Sequence, residues 1–150
     1  MTHLVNHHLQ TRVPIVSTAI TVEAVRRMIS TAKESWDSIN YIYVLDAGKK
    51  LIGVVSIKEL FRAKASDRID ALMRQNPVSV HEHVHQERVA AVAITHSLKA
   101  VPVVDHAGQF LGVVSSDAIL RILHKSHVEG ALRHAGFIRP RVHFLDVMKA

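Results

Sequence analysis

The stretch L-G-V-V-S-S-D-A-I-L at residues 111–120 has a copy, I-G-V-V-S-I-K-E-L-F at residues 52–61, placed 59 positions earlier. Gly53, Val54, Val55 and Ser56 match Gly112, Val113, Val114 and Ser115 one for one. Each copy is a β-branched run, then a hydroxyl residue, then apolar positions at Leu60/Phe61 or Ile119/Leu120 with helical spacing. This pattern marks a buried strand running into a helix start, where a serine can cap free amides or hold a phosphate. Duplication of the whole unit organises the chain.

Working outward, the segment before each copy repeats as well. Tyr41–Leu45 and Leu51–Ser56 read as hairpin strands around Asp46-Ala47-Gly48-Lys49-Lys50, and residues 101–104 and 110–115 do the same around Asp105-His106-Ala107-Gly108. Thr21 is the expected N-cap of a helix to about Ala32, with Val22, Val25, Met28 and Ile29 on one face. Val25, Met28 and Ile29 correspond to Val89, Val92 and Ala93 in a helix over residues 87–96, at an offset of 64. The first repeat thus carries five extra residues between helix and hairpin, around Trp36. Strands are expected at residues 14–16 and 78–80, a short amphipathic turn at Ile69, Leu72 and Met73, and closing helices at residues 57–65 and 116–125. A further helix is expected through Val128, Ala131, Leu132 and Ala135, with Gly136 as its C-cap. Val142, Phe144, Leu145, Val147 and Met148 find no place in either repeat.

Composition narrows the function classes. At 150 residues, 48 % of them hydrophobic, the chain has the size of one domain or two small repeats sharing a core. No apolar run approaches the ~20 residues of a membrane-spanning helix, and the polar start Met1-Thr2-His3 lacks the apolar core of a signal peptide. Absence of cysteine excludes disulfides, thiolate metal sites and catalytic thiols. The net charge of +6 is spread out, thickening only at Arg133, Arg139 and Arg141, and aromatics are 5 %. A solvated basic surface is therefore expected rather than a nucleic-acid site. Of twelve histidines, His81, His83 and His85 alternate, which would align three imidazoles in an extended segment and offers a metal-binding reading. No spacing of Ser, His and Asp points to catalysis.

Two β-α-β-β-α units ending in G-V-V-S, the linker I-D-A-L-M-R-Q-N-P-V-S-V at residues 69–80 and V-P-V-V-D at residues 101–105 together resemble a tandem pair of CBS domains. Y-I-Y-V-L-D at residues 41–46, the enlarged first bend and a helix after the second repeat are similar to the cytosolic CBS region of MgtE-type magnesium transporters. The resemblance implies an α/β fold. Two CBS repeats, residues 9–66 and 67–126, would pack as a pseudo-symmetric pair, followed by a C-terminal helix and tail at residues 127–150. It further implies a non-enzymatic, ligand-sensing regulatory module, cytoplasmic or at the cytosolic face of a membrane, dimeric through its helices and partnered with a transmembrane transporter domain. The alternatives are a freestanding adenine-nucleotide sensor with another partner and the His-based metal-binding protein.

The resemblance also implies a nucleotide motif, Gly-h-h-Ser/Thr-x-x-Asp, whose hydroxyl meets phosphate or ribose and whose carboxylate takes the ribose diol. In the first repeat Ser56 is present and Glu59 stands at the Asp position, with Lys58 available to phosphate. In the second, Ser115 is present, Ala118 stands at the Asp position, and Asp117 lies one residue early. Adenine would rest against Tyr41-Ile42 or Ala100-Val101, with Ser17 near the first cleft, so AMP, ADP or ATP is expected chiefly at the first cleft. Both serines also read as plain helix caps. For magnesium, the family gathers carboxylates on the second repeat's last helix and the helix beyond. Here only Asp117 and Glu129 remain there, beside Arg121, His124, Lys125 and His127, so magnesium sensing is expected to be poor.

Overall fold

A computed structural model describes residues 5–32 and 35–134, with the backbone alone at Asn6 and over 128–134. Its elements in order are β1 (Leu9–Gln10), β2 (Ile15–Val16), α1 (Val22–Thr31), β3 (Tyr41–Leu45), β4 (Leu51–Ser56), α2 (Ile57–Arg62), α3 (Ile69–Leu72), β5 (Arg74–Gln75), β6 (Val80–His81), α4 (Gln86–Thr95), β7 (Ala100–Val104), β8 (Phe110–Ser115) and α5 (Ser116–His134). A short 3-10 turn, Val5–His8, precedes β1. They form two four-stranded sheets, ordered β2-β3-β4-β5 and β1-β8-β7-β6.

The duplication read in the sequence is a duplication of hydrogen-bond register. Tyr41 faces Ser56 as Ala100 faces Ser115, and Val44 faces Gly53 as Val103 faces Gly112, each hairpin shifting register one residue later. Both turns are built by an aspartate. Asp46 Oδ1 accepts from the amides of Gly48 and Lys50, and Asp105 Oδ1 from those of Ala107 and Gln109. A turn of this type needs a left-handed residue near its end. Gly108 supplies it at φ 82°, while Lys49 occupies the same place at φ 64°. The two turns then bond to each other: Phe110 N donates to Lys49 O (3.0 Å) and Leu51 N to Gly108 O (3.2 Å).

The sheets exchange their edges. β1 lies at the N-terminus yet pairs antiparallel with β8 of the second repeat, and β5, after α3, pairs with β4 of the first. A division at residues 66 and 67 therefore does not follow the sheets. Val5 is buried in the second core with Val89, Val114 and Ile122, while Ile69 is buried in the first with Val25, Val55 and Leu60. The repeated glycine makes these exchanges possible. A Cβ on Gly112 would sit 2.6 Å from Gln10 O, and one on Gly53 would run into the Met73 side chain. A third cluster, Val13, Tyr43, Ala100 and Val113, lies between the sheets.

Thr21 caps α1 as expected, accepting from Ala24 N at 3.2 Å. The first closing helix stops at Arg62 rather than Ala65, because the Arg26 guanidinium takes the carbonyls of Leu60 (2.8 Å), Phe61 (3.2 Å) and Ala63 (2.7 Å). The second does not stop at Lys125 but runs unbroken to His134. Gly136 and the apolar residues from Val142 onward lie outside the described residues. Strands expected at 14–16 and 78–80 are shorter and later, Ile15–Val16 and Val80–His81, each paired in parallel with the first hairpin strand of its repeat.

Candidate functional site

Where the two repeats face each other, a cavity of about 130 Å³ opens between three walls. Tyr41, Tyr43 and Val54 of the first hairpin form one, Arg74 and Asn76-Pro77-Val78 the second, and His96, Leu98, Ala100 and Pro102 the third. Strand alternation decides which residues reach it. Tyr41 and Tyr43 point to the inter-sheet space, and between them Ile42 is fully buried in the first core. By the same rule Ala100 lines the cavity while Val101 is fully buried in the second core. Of the two pairs expected to cradle adenine, only Tyr41 and Ala100 present side chains there.

The aromatic wall is braced. Tyr43 stacks on Phe110 with ring centroids 5.1 Å apart and meets Tyr41 edge-on at 6.3 Å. The Tyr41 hydroxyl accepts from Lys99 N at 3.2 Å, a link from the first repeat to the second. Burial pushes the Tyr43 hydroxyl well above the ordinary tyrosine range, and no hydrogen-bond partner reaches it. Asn76, in the cavity lining, is left-handed (φ 52°), a conformation asparagine tolerates, and Ser97, between the lining residues His96 and Leu98, is left-handed at φ 54°.

The motif residues lie elsewhere. Ser56 accepts from Glu59 N (3.1 Å) while Glu59 Oε1 accepts from Ser56 N (3.4 Å), a reciprocal capping box that turns the Glu59 carboxylate back on its own helix. Ser115 is buried and caps α5 through Ala118 N at 3.5 Å. Lys58 and Asp117 are exposed on the first turns of α2 and α5. None of these five lines the cavity. Ser17 lines a separate open groove with Thr11, Ile15, Asp46 and Lys49.

On the side related to the cavity by the internal repeat, the described residues pack more tightly. There Val13 stands where Pro77 does, buried against Tyr43, Ala100 and Val113. Over it Arg12 grips Asp37 through Nε (3.2 Å) and Nη2 (2.9 Å), and Asp37 Oδ2 accepts from Arg12 N. The side-chain hydrogen bond from Arg12 holds the Asp37 carboxyl below the usual carboxylate range. Its stabilising effect is thus present above that range and fades as pH falls through the folded pKa. The five extra residues of the first repeat supply this clasp, and Trp36 anchors the bend by donating to Ile29 O at 3.3 Å.

Sequence reasoning missed Arg74, Asn76, His96 and Leu98. Arg74 and Asn76 lie in the 69–80 linker, which was read for its resemblance and not as a site, and only the packing of distant segments brings them to one cavity with His96 and Leu98. Among the described residues no three His, Asp or Glu side chains converge as a metal would require. His81 ends β6 and His85 stands at the N-cap position of α4 with no side-chain cap bond, so the alternate spacing is not held in one strand. No helix among the described residues is long and apolar enough to cross a membrane.

Comparison with known proteins adds to this geometry. The sequence profile of the CBS domain matches residues 5–66 and 69–125. The magnesium transporter MgtE of Thermus thermophilus is 33 % identical over 114 residues, covering 76 % of this chain and 25 % of the transporter. The chain therefore spans about a quarter of that relative's length. The structure of the soluble part of a magnesium transporter superposes with TM-score 0.78 at 25 % identity, covering 82 % of this chain and 48 % of the other. That of the cytosolic domain of the Mg2+ channel MgtE in complex with ATP gives TM-score 0.72 at 33 % identity, covering 76 % and 46 %.

Proposed function

The chain belongs to the CBS-domain family, whose profile spans both repeats, and from that premise we propose that it is a non-enzymatic regulatory module binding an adenine nucleotide between its repeats. The observation that carries this reading is the cavity walled by Tyr41 and Tyr43, with Arg74, Asn76 and His96 as polar groups at its edges. At about 130 Å³ it is smaller than the roughly 300–1,000 Å³ of a full ligand pocket, so it takes a ring and leaves the sugar and phosphates at the mouth. The ATP complex of a similar MgtE cytosolic domain supports the ligand class. Ligand binding would shift the population of relative repeat positions, since Tyr41 also bonds the second repeat at Lys99. The proposed partner is a transmembrane transporter domain of MgtE type, with this module on the cytosolic side of the membrane. Isothermal titration with AMP, ADP and ATP tests the proposal, and absence of heat with all three rejects it.

Association into dimers is part of the proposal. Phe61 on α2 and Leu120 on α5 are 62 % and 63 % exposed and stand at matching places in the two repeats, so each repeat presents one apolar anchor. Paired replacement by glutamate is expected to leave a monomer, read by light scattering at high micromolar concentration. A wild type already monomeric there would refute this.

Magnesium is expected to act weakly. A hard cation needs several converging oxygen ligands. On α5 from Ser116 to His127 the only acid is Asp117, and Arg121, His124, Lys125 and His127 are exposed beside it. A site with a millimolar dissociation constant would gain about 1.4 kcal/mol at ten millimolar ion, or roughly 2–5 °C in melting temperature. With ionic strength matched by sodium chloride, the shift should instead stay below about one degree. A magnesium-specific shift of several degrees, lost in Asp117→Ala or Glu129→Ala, would show that the sensor survives.

A further inference from the structure

Resting on the nucleotide reading, we infer that the ligand's anionic group is held by Arg74, and that only one of the two related clefts takes a ligand. The placement of Arg74 follows from the chain. Gly53 has no side chain, so Met73 packs against it and holds β5 against β4, with Arg74 paired to Val54. Val54 belongs to the cavity wall, so its neighbour Arg74 comes to the same edge. Arg12, Arg27 and Arg68 are tied to Asp37, Glu23 and Asp70, whereas among the described residues Arg74 has no carboxylate partner. No carboxylate lines the cavity either; its titratable groups are Tyr41, Tyr43, Arg74 and His96.

The internal repeat provides the control. Gln10 pairs with Val113 as Arg74 pairs with Val54, so the related cleft carries a neutral amide where this one carries a guanidinium. That cleft is also filled by Val13 and covered by the Arg12–Asp37 clasp. Among the described residues, room for a ring and a cation without a carboxylate partner therefore coincide on the Arg74 side. A guanidinium gives a phosphate two parallel hydrogen bonds, which an ammonium cannot reproduce in the same geometry. Arg74 lines the cavity and so stands by the mouth where the phosphates would lie, whereas Lys58 is not among the lining residues.

Calorimetric titration of the full chain with AMP and with adenosine tests this. Wild type should bind one AMP per chain. Arg74→Ala should weaken AMP about tenfold or more while changing adenosine less than twofold, and Arg74→Lys should recover part of the loss. Lys58→Ala should leave AMP unchanged. Melting curves of both Arg74 variants should match wild type, since the side chain is exposed. Loss of AMP affinity in Lys58→Ala with Arg74→Ala unaffected would overturn the assignment and leave the nucleotide reading intact. So would two AMP per chain, or an equal loss of AMP and adenosine in Arg74→Ala. Failure of wild type to bind either ligand would bring down both.

Discussion

Replacing Gly112 by alanine is expected to lower the unfolding free energy by about 3 kcal/mol, at the top of the usual range for overpacking. The new Cβ would lie 2.6 Å from Gln10 O and 3.0 Å from two carbons of Leu9. The first of these is backbone, so relief requires β1 to leave β8. The amides of the 9–10 and 113–114 pairings should then exchange faster, and Val5, buried behind them, should become exposed. Gly53→Ala is the matching change in the other repeat, but there the obstacle is the Met73 side chain, which can rotate away in part. A loss of about 1 kcal/mol is expected for it. Urea denaturation of both variants measures the difference. Equal losses, or none at Gly112, would mean that the edge exchange does not constrain the repeated glycine.

Arg26→Ala should cost about 2 kcal/mol, for a guanidinium that donates to three carbonyls at the end of α2. Those carbonyls lie at the negative end of the helix, where a cation is favoured. For a chain of this size the expected fall in melting temperature is roughly 4–8 °C. All three contacts are made by one nitrogen, Nη2, and Arg26→Lys should recover less than half because the shorter lysine side chain does not carry its ammonium as far as Nη2 reaches. The side chain also passes 5.8 Å from the Phe61 ring, so Phe61→Ala on its own should cost far less. Full rescue by lysine would show that charge alone matters at this place.

Both predictions depend on contacts that no local pattern announces, and this marks the limit of what the chain shows before it folds. The duplication, the two hairpins and the cap at Thr21 were legible in the amino-acid order because their causes lie within a few residues. Alternation selects buried and exposed faces, Asp46 and Asp105 bond amides two and four residues on, and a threonine side chain reaches an amide three residues on. The G-V-V-S repeat was legible too, together with the two readings of its serine as cap or ligand. Only the folded geometry shows both serines capping, with Glu59 spent in the same box.

The tertiary structure alone decided the rest. Segments of two residues, such as β1 and β5, are too short to carry a period, and their pairing is set by which sheet edge stands open when the repeats dock. The choice of cleft depends on side-chain volume across the internal symmetry. Among the described residues Val13 is buried in the inter-sheet cluster, while its counterpart Pro77 lines the open cavity. Arg74 meets Tyr41 and His96 at one cavity only because three chain segments far apart in sequence pack around it. Sequence order determines local structure through short-range bonds and sterics; the site arises from the packing of two similar but unequal halves, whose differences in volume and charge act only across the interface between them.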